Sequence, residues 1–359
     1  MTTILVTGSG GIAGVNFVRA LRASEQKYRI VGTDNNKYYI NFPELDSSYL
    51  TPRHDDSSFT SRIAEIVNRE KVDFVHPQPS SEAFVISKNR RKLNSKIYLP
   101  SYKVMKIGQD KLETYKVLYA KKVPVANTET VSSLKEIHSA FKRIGKKVWV
   151  RARHGAGGRL SLLCNSWKEA YSWVSLWVQK GNSIDEFIFQ EYLPGRNIAW
   201  DSLWLNGKLI TSYCRERLEY PLKHVSPSGI TGTPSVSRTI HDERVNKIAM
   251  EAVLAISSNA TGAFSVDLKE DTSGIPRVTE VDAGKFHTTM PLWGYIAYKH
   301  LKMPWYTNIA DLYVRIGLGF KIQEKIPSYD LIPQGYYMIR NIDSGIILYR
   351  EDGWKERVI

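Results

Sequence analysis

The sequence predicts two fold classes in one chain: α/β in its N-terminal part, as a doubly wound parallel sheet, and α+β beyond it, as a two-lobed module. Three observations carry this expectation. Strands and helices alternate over residues 1 to about 100, the alternation stops near Pro100, and after Asp185 the chain turns strand-rich.

The alternating part reads as strand ILVTG, helix NFVRALRA, strand RIVGTD, helix FTSRIAEIVNRE, strand VDFVHP, helix SEAFVISKNRRKL and strand KIYLPS. From Ser101 come a helix (QDKLETYKVLYAKK), a turn at Pro124, a helix (SLKEIHSAFKRIG), a strand (KVWVRAR), a glycine loop (HGAGG), a strand (RLSLLC) and a long helix (SWKEAYSWVSLWVQKG). In that last helix Trp167, Tyr171, Trp173, Val174 and Trp177 recur at helical spacing, which predicts a packed core face. Strands EFIFQEYL, IAWDSLWLNGKLI and TSYCRERLEY follow, then helix DERVNKIAMEAVLAISSN. Strands GAFSVDLKED and PRVTEVDAG are joined at Ser273-Gly274, and the tail strands GYYMIR and GIILYR turn at Asp343-Ser344-Gly345. The expected units are 1–102, 103–186, 187–330 and 331–359, the last packing as strands on the module.

With 359 residues the chain can bury a sizeable core. Its two cysteines, Cys164 and Cys214, are too few for a disulfide framework or a cysteine metal site. No apolar run is long enough to cross a bilayer and no basic-then-apolar leader opens the chain, so a cytoplasmic enzyme or binding protein is expected. The net charge of +14 favours acidic partners, either nucleic acid or small anions. Because KNRRKLNSK, KRIGKK and YAKK lie in separate predicted helices, most of this charge reads as solvated surface.

The opening VTGSGGIAG, Val6 to Gly14, sits between a strand and a helix, as a dinucleotide loop does. Asp34 ends the next strand, where such a fold would hold a ribose. Glycines at a strand-to-helix turn equally serve packing, or bind an anion through free N–H groups. Both readings stay open on this stretch alone.

More informative is GAFSVDLKEDTSGIPRVTEVDAG. It places Asp267 on one strand and Glu280 and Asp282, two apart and so on one face, on the next. Three converging carboxylates suit a hard cation such as magnesium, with phosphates filling the other positions; a surface hairpin with solvated acids is the plain alternative. VWVRARHGAGGRLSL delivers Arg151 and Arg153 to a glycine loop that can close over phosphates or simply turn a hairpin. FIFQEYLPGRNIAWDSL carries Glu191, Tyr192 and Leu193 toward a Pro-Gly turn, where backbone groups can meet an adenine edge.

In this order the pieces resemble the ATP-grasp superfamily, in its carbamoyl-phosphate-synthetase-like and carboxylate–amine ligase branch. The resemblance covers nearly the whole chain, with residues 1–102 as the Rossmann-like domain preceding the module. It implies an ATP-dependent ligase that makes an acyl phosphate and joins it to an amine, using ATP and magnesium, or manganese in its place. Carried over by position, it implies that Lys111 and Arg151 contact phosphates, Gly157 and Gly158 lie in the closing loop, and Glu191, Leu193 and Asn197 lie beside the nucleoside. Asp267, Glu280 and Asp282 would be the metal ligands, and Arg217, Lys285 and Arg151 the groups acting on the reacting centre. Asn197 stands where the family often has a glutamate, Asp282 where it has an asparagine, and Lys285 replaces an arginine with one residue of slippage.

On the acceptor side, Arg215 and Ser228 are expected near the carboxylate, Glu82 near an amine, and Ser9, Gly10 and Gly11 around an anionic part of the acceptor. The expected partners are a small carboxylate and an amine, anionic in character, with no membrane, no nucleic acid and a homodimer as the expected assembly. A short-chain reductase or epimerase would need a Tyr-x-x-x-Lys pair. Tyr102/Lys106 and Tyr298/Lys302 have that spacing but fall outside its usual place. A non-catalytic nucleotide- or nucleic-acid-binding protein leaves the paired carboxylates and phosphate cations unexplained.

Overall fold

The computed structural model describes every residue except Ala156, Asp343 and Ile359. The N-terminal part runs β1 (Thr2–Thr7), α1 (Ile12–Arg22), β2 (Tyr28–Asp34), β3 (Ser47–Leu50), α2 (Phe59–Arg69), β4 (Phe74–Pro77), α3 (Ser80–Asn89) and β5 (Lys96–Ile97). Its five strands form one parallel sheet, ordered β3-β2-β1-β4-β5. Successive residues of a strand face opposite sides, so Ile4, Val6 and Ile30 enter one core and Leu5 and Val31 another. Burial on both faces is what makes ILV a continuous apolar run.

The middle part runs α4 (Tyr102–Gly108), α5 (Lys111–Ala120), β6 (Thr128–Glu129), α6 (Ile137–Ile144), β7 (Val148–Ala152), β8 (Leu162–Cys164), α7 (Trp167–Gln179) and β9 (Phe187–Glu191). Its four strands pair as an antiparallel sheet, β6-β9-β7-β8. Against it pack Ile137, Ala140 and Phe141 of α6 and Ala170 and Val174 of α7. Only Ala170 and Val174 of α7 are fully buried. Trp167 is 36% and Tyr171 41% exposed, so the expected aromatic core face is not one. The helix instead covers the sheet with its small residues and rests Trp173 and Trp177 half-buried at its margin.

The last part runs β10 (Asn197–Leu205), β11 (Lys208–Glu219), β12 (Val236–Ile240), α8 (Glu243–Ile256), β13 (Gly262–Glu270), β14 (Pro276–Ala283), α9 (Met290–Lys299), α10 (Ile309–Leu318), β15 (Tyr337–Asn341), β16 (Gly345–Tyr349) and β17 (Lys355–Arg357). One eight-stranded sheet takes all its strands, ordered β14-β13-β10-β11-β12-β15-β16-β17. The tail strands therefore continue the module's own sheet; Asp343 of the expected turn lies outside the described residues. Val245, Ala249 and Val253 of α8 pack on Trp200, Phe264 and Val266.

Helices α9 and α10 have no counterpart in the expected element order. They bury Trp293, Ile296, Leu312 and Tyr313 in the same core as Ile4, Val6 and Phe17, and so cover the second face of the parallel sheet. This brings the segment between β14 and α9 against the opening glycine loop. Among the described residues no helix is long and apolar enough to cross a membrane.

Candidate functional site

A cavity of about 550 Å³ opens where the three sheets meet. Its walls come from the glycine loop and the starts of α1 and α3, from β7 and the loop after it, from β9 and its linker, and from β11, β13, β14 and residues 285–289. Lys111, Arg151, Leu193, Asn197, Arg215, Arg217, Asp267, Glu280, Asp282 and Lys285 all line it. Residues 174 positions apart in the chain thus share one wall.

Ion pairs organise that wall. Glu280 spends one oxygen on Lys111 Nζ (3.1 Å) and the other on Arg151 (2.9 Å). Asp267 takes both guanidinium nitrogens of Arg217, at 2.6 and 2.8 Å. Asp282 meets Lys285 Nζ at 3.1 Å and His287 Nε2 at 3.4 Å. Burial pushes the Asp267 and Asp282 carboxyls up, but their cationic neighbours win and hold both below the usual carboxylate range. For Lys111 the balance is reversed: burial outweighs Glu280 and pulls its ammonium below the usual lysine range.

The three carboxylates were expected to converge as metal ligands. Among the described residues no three His, Cys, Asp or Glu side chains form a group able to hold an ion, because each carboxylate is engaged by its own cation. Register explains their neighbourhood: Asp267 faces Glu280 across β13 and β14, and Asp282 faces Ser265. A hard oxygen donor set on one cavity wall still fits magnesium held by one or two carboxylates with other oxygens completing the shell, rather than a preformed three-carboxylate cage.

Arg153 has a different task from Arg151. It forms a bidentate pair with Asp110 (2.8 and 2.5 Å), and Asp110 caps α5 through the N–H groups of Leu112 and Glu113. This pair fixes the helix start and thereby Lys111, whose Nζ also donates to Gly155 O at 2.6 Å. Gly157 and Gly158 line the cavity with φ of +74° and +75°; a Cβ on Gly158 would lie 2.9 Å from Ile230 O. Ala156, within the expected closing loop, lies outside the described residues.

At the other end, β9 presents Gln190 and its linker presents Leu193 to the cavity. Glu191 also lines it, but its N–H donates to Asn127 O (2.9 Å) and its carboxylate stands 3.5 Å from Arg277. Only the remaining backbone of Glu191 is free for a ligand. Asn197 donates to Tyr220 OH at 3.2 Å and accepts from Arg217 at 3.5 Å.

The glycine loop departs from expectation. The Ser9 N–H donates to Thr33 O (2.9 Å), the Gly10 N–H to the Asp34 carboxylate (2.9 Å) and the Gly11 N–H to Gly8 O (3.2 Å), so none is free for an anion. A Cβ at Gly10 would lie 2.4 Å from the Tyr39 backbone carbonyl carbon, which makes this glycine a packing requirement. Asp34 thus braces the loop rather than holding a ribose. Ser228 likewise turns inward, accepting from the Ile230 N–H at 3.2 Å, while Ile230 and Gly232 face the cavity.

Glu82 is also corrected. It lies in the first turn of α3, buried beneath Gly8 and Pro79 and off the cavity wall, so it cannot meet an amine there. Burial, helped by the Asp34 charge, pushes its carboxyl up from 4.5 to about 7. Between those values the folded chain keeps a proton that the unfolded chain has lost, so stability falls as pH rises through that window and levels off above it. The shift corresponds to about 3 kcal/mol. Glu82→Gln is expected to remove this slope and to be the more stable protein above neutrality, as read from urea midpoints across pH; parallel curves would refute the assignment.

Beneath the cavity floor one residue outside the expected set, Asp201, completes the site by holding the expected Arg215. Asp201, fully buried, pairs with Arg215, stands 2.8 Å from His287 Nδ1 and accepts from Ser265 Oγ at 2.7 Å. Arg215 is 1% exposed and also donates to Tyr213 OH at 3.1 Å. A charged residue inside the apolar strand IAWDSLWL was the available signal for Asp201.

Comparison with known proteins places the fold. Residues 108–283 match the ATP-grasp domain family. Over 316 residues the chain is 21% identical to the carbamoyl phosphate synthase large chain of Clostridium acetobutylicum, covering 79% of this chain and 29% of that one. It therefore spans less than a third of that relative's length. The L-amino acid ligase of Bacillus licheniformis superposes with a TM-score of 0.69 at 14% identity, covering 94% of this chain and 79% of its own. The biotin carboxylase domain of Hydrogenobacter thermophilus 2-oxoglutarate carboxylase, a complex with MgADP and bicarbonate, superposes with a TM-score of 0.68 at 16% identity, covering 96% and 74%.

Proposed function

We propose, on the premise that this chain belongs to the ATP-grasp superfamily through residues 108–283, that it is an ATP-dependent ligase joining a small carboxylate to an amine. The carboxylate is activated as an acyl phosphate, the amine displaces phosphate, and ADP and phosphate leave. The observation that supports this reading most is the pairing of Lys111 and Arg151 with one carboxylate, Glu280, on the wall of the shared cavity.

Charge explains why that pairing suits a triphosphate. Five cations (Lys111, Arg151, Arg215, Arg217, Lys285) and four carboxylates (Asp201, Asp267, Glu280, Asp282) meet at the cavity. When phosphates take Lys111 and Arg151, Glu280 loses its partners and its charge needs another counter-ion. Magnesium, held by Glu280 with Asp282 or Asp267, would supply that charge and neutralise the transferring phosphoryl group.

The chain's own residues do the rest. Lys111 and Arg151 hold the phosphates, the loop around Gly157 and Gly158 excludes water, and Arg217 and Lys285 steady the carboxylate and the developing acyl phosphate. Arg215, fixed by Asp201, presents a rigid positive floor to the acid. Positioning and charge stabilisation suffice for in-line transfer, so no nucleophilic side chain is required. The test is phosphate release from ATP and magnesium with pools of acids and amines. Release that needs both an acid and an amine is expected; tight NADH binding without ATP turnover would overturn the reading.

A further inference from the structure

We propose that Arg19 and Arg340 together bind an anionic group, a carboxylate or a phosphate, carried by the amine acceptor at the end remote from its amino group. The proposal rests on the ligase reading above and names the class of amine that the cavity takes.

Neither arginine lines the cavity, but each is tied to residues that do. Helix α1 begins at the cavity with Ile12, and Asn16 and Arg19 follow on the same face of the helix. Asn16 Nδ2 donates to Thr288 O at 3.0 Å, and Asn16 Oδ1 accepts from Arg19 Nη1, also at 3.0 Å. From the far end of the chain, Arg340 of β15 donates its backbone N–H to Ser235 O at 2.8 Å and its Nη1 to Pro234 O at 3.3 Å. Thr288 and Pro234 both line the cavity. Helix α9 packs against α1 and shares one core with Met338 of β15, which brings the two guanidiniums to the same margin of the cavity.

Charge is what marks the pair. Burial pulls both guanidiniums below the usual arginine range, and the charge of Arg19 lowers Arg340 further. Among the described residues neither is paired with a carboxylate. Other half-buried arginines of this chain are compensated: Arg196 meets Asp242 and Glu270, and Arg315 meets Asp311. Two cations that repel each other and lose hydration are costly unless an anion joins them. Each fork keeps donors for one, because Nη1 alone is engaged by protein among the described residues. Carboxylate and phosphate oxygens match that fork. The triphosphate and the reacting acid already have their cations in Lys111, Arg151, Arg217 and Lys285, so the anion left for this pair belongs to the acceptor.

The test has two readouts on the full chain. The first is the thermal unfolding midpoint with added inorganic phosphate or succinate at constant ionic strength. Wild type is expected to be stabilised, and Arg19→Gln and Arg340→Gln each to need about tenfold more of the anion for the same rise, the worth of one charged hydrogen bond. Arg340→Lys, which keeps the charge but not the fork, is expected to fall between. Each glutamine removes one of two repelling cations, so neither variant is expected to unfold at lower urea, and lost binding is not lost fold. The second readout is KM for amino acids and aminoalkyl phosphates against the same amines without the anionic group, with ATP, magnesium and the acid pool. Wild type is expected to favour one anion-bearing set by at least about tenfold, which tells carboxylate from phosphate, and both glutamine variants to lose that preference. No preference in wild type, or the same responses in wild type and both variants, would overturn the proposal while leaving the ligase reading intact. Anion binding that depends on both arginines, without phosphate release that needs acid and amine, would overturn the ligase reading and with it the assignment of this anion to an acceptor.

Discussion

In Glu280→Gln, phosphate release from ATP is expected to fall by at least about 100-fold, while the chain stays folded. Among the described residues Glu280 is the one carboxylate that meets both Lys111 and Arg151, and it lies 14% exposed on the cavity wall. Glutamine keeps its size but not its charge. It can neither hold Lys111 and Arg151 poised for phosphates nor take the magnesium that those phosphates bring. Lys111 retains its bond to Gly155 O, so the buried end of α5 keeps one partner. A circular-dichroism spectrum like that of wild type, with turnover near background, is the expected pair of results. Undiminished turnover would remove Glu280 from the reaction.

The second large effect is on stability. Replacing Asp201 with leucine leaves Arg215, 1% exposed, without the carboxylate that compensates its charge. Breaking a buried ion pair from one side costs about 3–5 kcal/mol, because the remaining charge has no water to return to. Ser265 and His287 lose an acceptor as well. Asp201→Leu is therefore expected to unfold at markedly lower urea. Removing both charges, as Asp201→Leu with Arg215→Met, should recover most of that loss. A double variant no better than the single one would show that Asp201 serves packing and not charge.

Much of this architecture was legible in the residues. The alternation of strands and helices over residues 1 to about 100 announced a doubly wound parallel sheet, and the ordered set Lys111, Arg151, Leu193, Glu280 and Asp282 announced one site, because each motif keeps its local form whatever surrounds it. What escaped depended on partners far away in sequence. The N–H groups of Ser9 and Gly10 looked free, since their acceptors, Thr33 and Asp34, lie 24 residues on in the next strand. Glu82 looked like a cleft residue because helix periodicity does not reveal that Gly8 and Pro79 roof it. Trp167 and Tyr171 looked buried because an apolar spacing does not tell which stripe of a helix meets its sheet. Asp201 was passed over for the opposite reason: it becomes meaningful only when β10 meets β11 and β13 to give it partners.

The central claim is that a carboxylate oxygen attacks the terminal phosphorus of ATP. It can be tested directly by supplying the acid pool with a heavy-oxygen label in its carboxyl groups, together with ATP, magnesium and amines, and weighing the phosphate released. An acyl phosphate cleaved at its carbon–oxygen bond by the amine must carry one labelled oxygen into the phosphate, and that transfer is the predicted result. Phosphate bearing only unlabelled oxygen, with ATP consumed, would mean that water and not a carboxylate is the acceptor, and would contradict the account.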